Sequence, residues 1–122
     1  MDAGLVALLL LSLLAAHCWA DFVAQTEAMA HGKCPGALHP AAAQVPWYYW
    51  LAVHACMHGA AVGLVFRLFG AAPWLAGALW GAEAVAHALI DRGKCAGWYS
   101  IHGDQLLHLG CKFLWCAVFW SV

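Results

Sequence analysis

Apolar residues run along this chain in four long blocks, parted by short breaks that contain Gly, Pro or charged residues, and this pattern predicts four long helices. The blocks are residues 3–20, 47–69, 73–90 and 103–122, each close to the roughly 20 residues a helix needs to cross a bilayer core. The first is almost wholly Leu and Ala. The second is apolar apart from its histidines and Arg67, and the third admits only Glu83 and His87 as polar groups. Gly70-Ala71-Ala72, followed by Pro73 at a position suited to the start of a helix, makes the second and third blocks an antiparallel hairpin. Residues 21–46 form the one long connection, interrupted at Gly32, Pro35, Gly36, Pro40 and Pro46, and its first part, 21–30, can continue the first helix along the interface. The predicted fold is therefore all-α, an integral membrane four-helix bundle forming a single domain over 1–122. An apolar run ending at Ala20 also suits a secretory signal peptide. Met1-Asp2 places an acid where such a peptide carries basic residues, so the first span is expected to stay.

Composition agrees with spans and narrows the function. Of 122 residues 66% are hydrophobic and 9% charged, with a mean hydropathy of +0.77, against a charged fraction of about 25% in soluble domains. So few charges cannot cover a small soluble domain, which excludes a soluble enzyme. A net charge of -1 offers phosphates no basic face, which excludes nucleic acid as a partner.

In an up-down bundle one membrane face holds the end of the first helix, the start of the second, the end of the third and the start of the fourth. That face carries Lys33, Arg92 and Lys94, and the other only Arg67, so the positive-inside rule expects the first face in the cytoplasm of a multi-pass inner-membrane protein of a bacterium. Trp19, Trp47, Tyr48, Tyr49, Trp50, Trp98 and Tyr99 gather at the same face, as interfacial aromatics do. Gly59 with Gly63 and Gly77 with Gly81 are small-residue pairs that would let the second and third helices approach closely.

The polar residues inside the blocks are ordered. His17 and Asp21 end the first helix, His54 and His58 open the second, His87 and Asp91 end the third, and Asp104 and His108 open the fourth. Each pair is spaced i, i+4, which puts both side chains on one helix face, and all four pairs fall at the same end of the bundle. Gln25 and Glu83 extend two of the lines by a turn, and Gln105 sits beside Asp104. Gly32-Lys33-Cys34-Pro35-Gly36 follows the first His-x-x-x-Asp and Gly93-Lys94-Cys95-Ala96-Gly97 the second, so the chain can be read as a duplicated helical hairpin about an axis along the membrane normal.

Imidazole and carboxylate together suit zinc, iron or manganese, and His/Asp pairs on facing helices are how bundles build buried metal sites. Eight ligands suffice for one or two ions, with zinc the first expectation, and a two-metal site can activate water or clamp a phosphoester. The expected ligands are His17, Asp21, His54, His58, His87, Asp91, Asp104 and His108. Asp21, Asp91 and Asp104 double as catalytic bases, and Arg92 and Lys94 are placed to meet an anionic head group of a membrane lipid. A metal-free interhelical polar network is the plainer alternative, although each ionisable group costs a few kcal/mol to insert in a bilayer. His31, His39 and His102 are expected in loops, solvated, while Arg67 and Lys112 can snorkel or pair. Cys18, Cys56, Cys111 and Cys116 lie in the spans as small apolar residues. Cys34 and Cys95, at matching places in the repeat, are open to three states: free thiols, metal ligands, or a disulfide joining the halves on an oxidising face.

His17-x-x-x-Asp21-Phe22-x-x-Gln25-Thr26 with Met29-Ala30, His54-x-x-x-His58-Gly59, His87-x-x-x-Asp91 with Lys94, and Asp104-Gln105-x-x-His108 together resemble the small bacterial and phage integral membrane proteins grouped as domain of unknown function 3307. The Cys34 and Cys95 loops and the many Trp residues lie outside that pattern. The resemblance implies a membrane protein and no activity. The layout is also similar to that of membrane-bound metal-dependent hydrolases, as an analogy only. The expected function is a membrane-embedded His/Asp metal centre acting as a hydrolase on a lipid-linked ester or phosphoester. The alternatives are a non-catalytic phage or host accessory protein (superinfection exclusion, assembly or pore, the last as a homo-oligomer) and a proton, ion or haem-linked redox module.

Overall fold

The structure, a computed structural model, describes residues 2–37, 40 and 44–122. Helix α1 runs Ala3–Trp19, started by the Asp2 carboxylate, which accepts from Gly4 N–H at 2.8 Å. It widens into a π-helical turn, Ala20–Ala24, and stops where Gln25 and Thr26 become extended. Thr26 caps the short α2, Glu27–Gly32, by accepting from Met29 N–H at 3.2 Å. Helix α3 spans Trp47–Leu68, and Gly70, at φ +89°, turns the chain into α4, Pro73–Cys95, which opens with Pro at its first position. Ser100 then caps α5, Ile101–Ser121.

Contacts run α1 to α3, α3 to α4, α4 to α5 and α5 back to α1, which closes a ring of four long helices. Helix α3 buries a broad face, Leu51, His54, Ala55, His58, Gly59, Val62, Gly63, Val65 and Phe66, and the other three bury a narrower one that centres on a line of residues. On α1 these are Leu9, Leu13 and His17; on α4 Leu75, Leu79, Glu83, His87 and Asp91; on α5 Asp104, His108, Lys112 and Cys116. The steps of four residues keep each line on one face. The interior therefore has two storeys. Near the α3–α4 turn, Leu9, Leu13, Val62, Val65, Phe66, Ala71, Leu75, Ala76, Leu79 and Cys116 form an apolar core. Towards the other end the same lines become histidine, carboxylate and lysine.

The outside is the reverse. Leu8, Leu11, Leu64, Leu68, Trp74, Val85, Leu89, Leu106 and Phe113 are exposed, Leu68 to 76%, while His54 and His87 are at 0%. Two segments, Ala3–Ala24 and Trp47–Leu68, are long and apolar enough to cross a membrane by length and composition.

Boundaries shift in informative ways. The first expected span continues through Ala24 by the π turn, and α4 runs past Ile90 to Cys95, so Arg92 and Lys94 are helical. His102 lies in the first turn of α5 and His31 on α2, both exposed but neither in a loop, and His39 lies outside the described residues. The two glycine pairs differ. A Cβ on Gly59 would lie 2.6 Å from the Trp80 carbonyl oxygen and one on Gly63 3.1 Å from Trp80 Cβ, whereas nothing stands within 4 Å of Gly77 or Gly81. Only the first pair mediates close approach of α3 and α4, because the second faces away from the ring.

Candidate metal centre

All eight residues expected as ligands converge in the polar storey. Asp21 stands at its middle: Oδ1 is 3.1 Å from His58 Nε2 and 3.2 Å from His54 Nε2, and Oδ2 is 3.3 Å from His17 Nε2. The π turn that ends the first helix carries Asp21, and such turns recur at functional sites. Asp91 lies across from it, with His54 and His108 Nε2 each 3.6 Å and His87 Nε2 3.7 Å from its oxygens. Asp104 Oδ1 is 3.6 Å from His108 Nε2. The rings pack face to face, His58 on His87 at 3.6 Å between centroids and His87 on His108 at 4.1 Å.

In each of two groups the donor atoms all lie within 4.8 Å of one another and could hold an ion: Asp21, His54, His58 and His87, and then His87, Asp91 and His108. His87 belongs to both. His17 and Asp104 flank these groups, tied together through Gln105, which lies 3.2 Å from His17 Nε2 and donates to Asp21 and Asp104 at 3.2 Å each.

The hydrogen-bond inventory fits a metal. Both ring nitrogens of His87 and of His108, one each of His17 and His54, and Asp104 Oδ1 are buried without a hydrogen-bond partner. A buried polar atom left unsatisfied costs about 1–3 kcal/mol, so a set of them in one place signals a missing partner. Imidazole nitrogen and carboxylate oxygen are the donor types that zinc and similar divalent ions accept.

Around this centre the structure adds groups whose roles the sequence left open. Lys33 is buried and donates to Asp91 Oδ2 at 2.6 Å, and Gln25, its amide oxygen turned inward, accepts from Lys33 at 3.0 Å and from His54 at 3.3 Å. Lys112, at 0% exposure, donates to Glu83 Oε1, while Trp115 Nε1 donates to Glu83 Oε2 at 2.6 Å. Glu83 Oε1 is also 3.6 Å from His87 Nδ1, so this pair stands behind the imidazole common to both groups. Lysine at position 112 pairs rather than snorkels. Its i+4 relation to His108 was the available signal, since it continues the buried line of α5.

The two expected head-group contacts differ. Arg92 is exposed and lies over the Trp47 ring at 5.5 Å. Lys94 is 34% exposed and turns to Asp104 Oδ2 at 3.4 Å. Of the three states open to Cys34 and Cys95, the structure has the disulfide, with Cα atoms 5.2 Å apart, which removes both as ligands. Cys18, Cys56, Cys111 and Cys116 are free.

A family model described as protein of unknown function (DUF3307) matches residues 9–121, and the chain belongs to that family. No curated protein and no solved structure matches it significantly.

Proposed function

We propose that this member of the family is an integral membrane protein that holds a divalent ion, with zinc the first expectation, in its His/Asp centre and hydrolyses an ester or phosphoester of a membrane lipid. The observation that carries this reading is the set of buried, partnerless imidazole nitrogens on His87 and His108 beside the two donor groups.

A bilayer explains the inside-out distribution. Helices α4 and α5 have 23 and 21 residues, which at 1.5 Å per residue is about the 30 Å of a hydrocarbon core. Apart from Arg92 and Lys94 at the end of α4, their charges lie on the inner line, where Glu83 pairs with Lys112, Asp91 with Lys33 and Asp104 with Lys94. All four long helices can then span, and the membrane proposed is the cytoplasmic membrane of a bacterium.

When bound, the ion supplies Lewis acidity and an activated water. The chain's own residues do the rest. His54, His58, His87 and Asp21 would hold an ion, or His87, Asp91 and His108 would, since the one His87 nitrogen that faces the centre serves one ion at a time. Glu83 lies behind His87, 3.6 Å from Nδ1 and short of a hydrogen bond, where its carboxylate would favour the tautomer with the proton on Nδ1 and leave Nε2 for the ion. Asp104, with one oxygen unpartnered, is the base best placed to take a proton at the rim. Lys94 and Arg92 lie nearest the interface, where a head-group phosphate would meet them.

Metal analysis of the chain purified from carbonate-washed membranes tests the reading. Wild type is expected to retain zinc or a related ion, and a His54→Ala, His87→Ala double variant to lose it. Equal and negligible metal in both ends the metal reading. In that case the buried Lys33–Asp91 and Lys112–Glu83 pairs favour a metal-free polar network that carries protons.

A further inference from the structure

From the Cys34–Cys95 disulfide we infer that the His/Asp centre lies at the oxidising, outer face of the membrane, the reverse of what the positive-inside count expects. The inference rests on the membrane reading and gives the proposed centre its side of the membrane.

The observation is the disulfide itself. It joins the ends of α2 and α4 through two short segments, Gly-Lys-Cys-Pro-Gly and Gly-Lys-Cys-Ala-Gly, their cysteines 61 residues apart, whose closing glycines, Gly36 and Gly97, share a left-handed backbone at φ +76° and +77°. These segments lie at the end of the bundle that holds the polar storey, since Lys33 precedes Cys34 and reaches Asp91, and Lys94 precedes Cys95 and reaches Asp104. The four remaining cysteines, on α1, α3 and α5 within the apolar blocks, are unpaired. Disulfides persist in secreted, periplasmic and surface compartments and are rare where glutathione and thioredoxin keep thiols reduced.

The opposing argument is the count of Lys33, Arg92 and Lys94 at this end against Arg67 at the other, three to one. The rule counts Lys and Arg beside the spans and not net charge, so the pairing of Lys33 with Asp91 and of Lys94 with Asp104 leaves that count as it is. A difference of two charges is a bias on insertion, whereas a persisting disulfide points to an oxidising compartment, and the disulfide decides.

Formation of the bond is ordinary exchange. The Cys34 and Cys95 thiols give up two protons and two electrons to an oxidised dithiol protein of that compartment, which leaves as the dithiol. The linked segments place both lysines against carboxylates of the centre, Lys33 on Asp91 and Lys94 on Asp104.

The test uses the whole chain in a bacterial cytoplasmic membrane. Cells with a permeabilised outer envelope are treated with a membrane-impermeant maleimide-polyethylene glycol, with and without prior tris(2-carboxyethyl)phosphine, and wild type is compared with a Cys34→Ser, Cys95→Ser variant. Wild type is expected to gain two tags after reduction and none before, and the variant none above background. Two tags without reductant, or tags that appear only after the inner membrane is broken, overturn the inference. A peptide linked through Cys34 and Cys95, sought by mass spectrometry in non-reduced wild-type membranes, keeps the test decisive if the variant does not fold: its absence also overturns it. Metal content scored on the same membranes separates the two proposals, because a disulfide-linked, outward-facing chain without metal refutes the metal reading alone. A chain extracted by carbonate refutes the membrane reading and this inference with it.

Discussion

Replacing Gly59 by Ala probes how α3 and α4 are held at the level of the centre. In an ordinary helix interior Ala is favoured over Gly by about 1 kcal/mol. At Gly59 the added Cβ would sit 2.6 Å from the Trp80 carbonyl oxygen, 2.9 Å from Trp80 Cδ1 and 3.1 Å from Ala84 Cβ, where ordinary contact begins at 3.4 Å. The first of these atoms is backbone and cannot swing away, so the helices must part. Overpacking of this kind costs about 1–3 kcal/mol, which outweighs the propensity gain and leaves Gly59→Ala destabilising by roughly 1 kcal/mol. Gly81→Ala, with nothing within 4 Å of its Cβ, keeps the gain. The two variants should therefore differ by about 2 kcal/mol, or roughly 8 °C in Tm for a domain of this size. Thermal unfolding of both in the same detergent measures it. Metal retention should fall in Gly59→Ala too, because Gly59 adjoins His58, whose ring stacks on His87 at 3.6 Å. A Gly59→Ala protein as stable as Gly81→Ala would refute the close-approach argument.

Lys112→Met is expected to destabilise by about 3–5 kcal/mol, since it leaves Glu83 buried with Trp115 and His87 alone, whereas Lys112→Met with Glu83→Leu should recover most of the loss. Unfolding in detergent reads this, and a loss below about 1 kcal/mol for the single variant would contradict a tightly coupled pair. Chelation should lower the Tm of the purified protein and added zinc restore it, by about 2.7 kcal/mol at one hundred times Kd. Melting curves that coincide with and without zinc would speak against a metal in the centre.

Much of the architecture is legible in the chain. Four long apolar blocks yield four long helices, because helix length and apolar content are local properties. The convergence of His17, Asp21, His54, His58, His87, Asp91, Asp104 and His108 is legible as well, since i, i+4 spacing fixes one face and the up-down order fixes one end. Even the buried fate of Glu83 and Lys112 could be extrapolated along those lines by another turn.

What only the tertiary structure decided is how partners are matched across helices. Lys33 answers Asp91 from 58 residues away and Lys112 answers Glu83 from 29, and no periodicity within one helix selects such pairs. The same holds for the glycines: both pairs have the same spacing, but the rotation of α4 against α3 brings Gly59 and Gly63 to the contact and leaves Gly77 and Gly81 outside it. Two cysteines in matching loops admit thiol, ligand or disulfide until their Cα atoms are seen 5.2 Å apart. Sequence sets which face of each helix is polar, because that follows from spacing along one chain segment. Packing sets which charge meets which, because that depends on the rotation and depth of helices whose relation is recorded nowhere in local sequence.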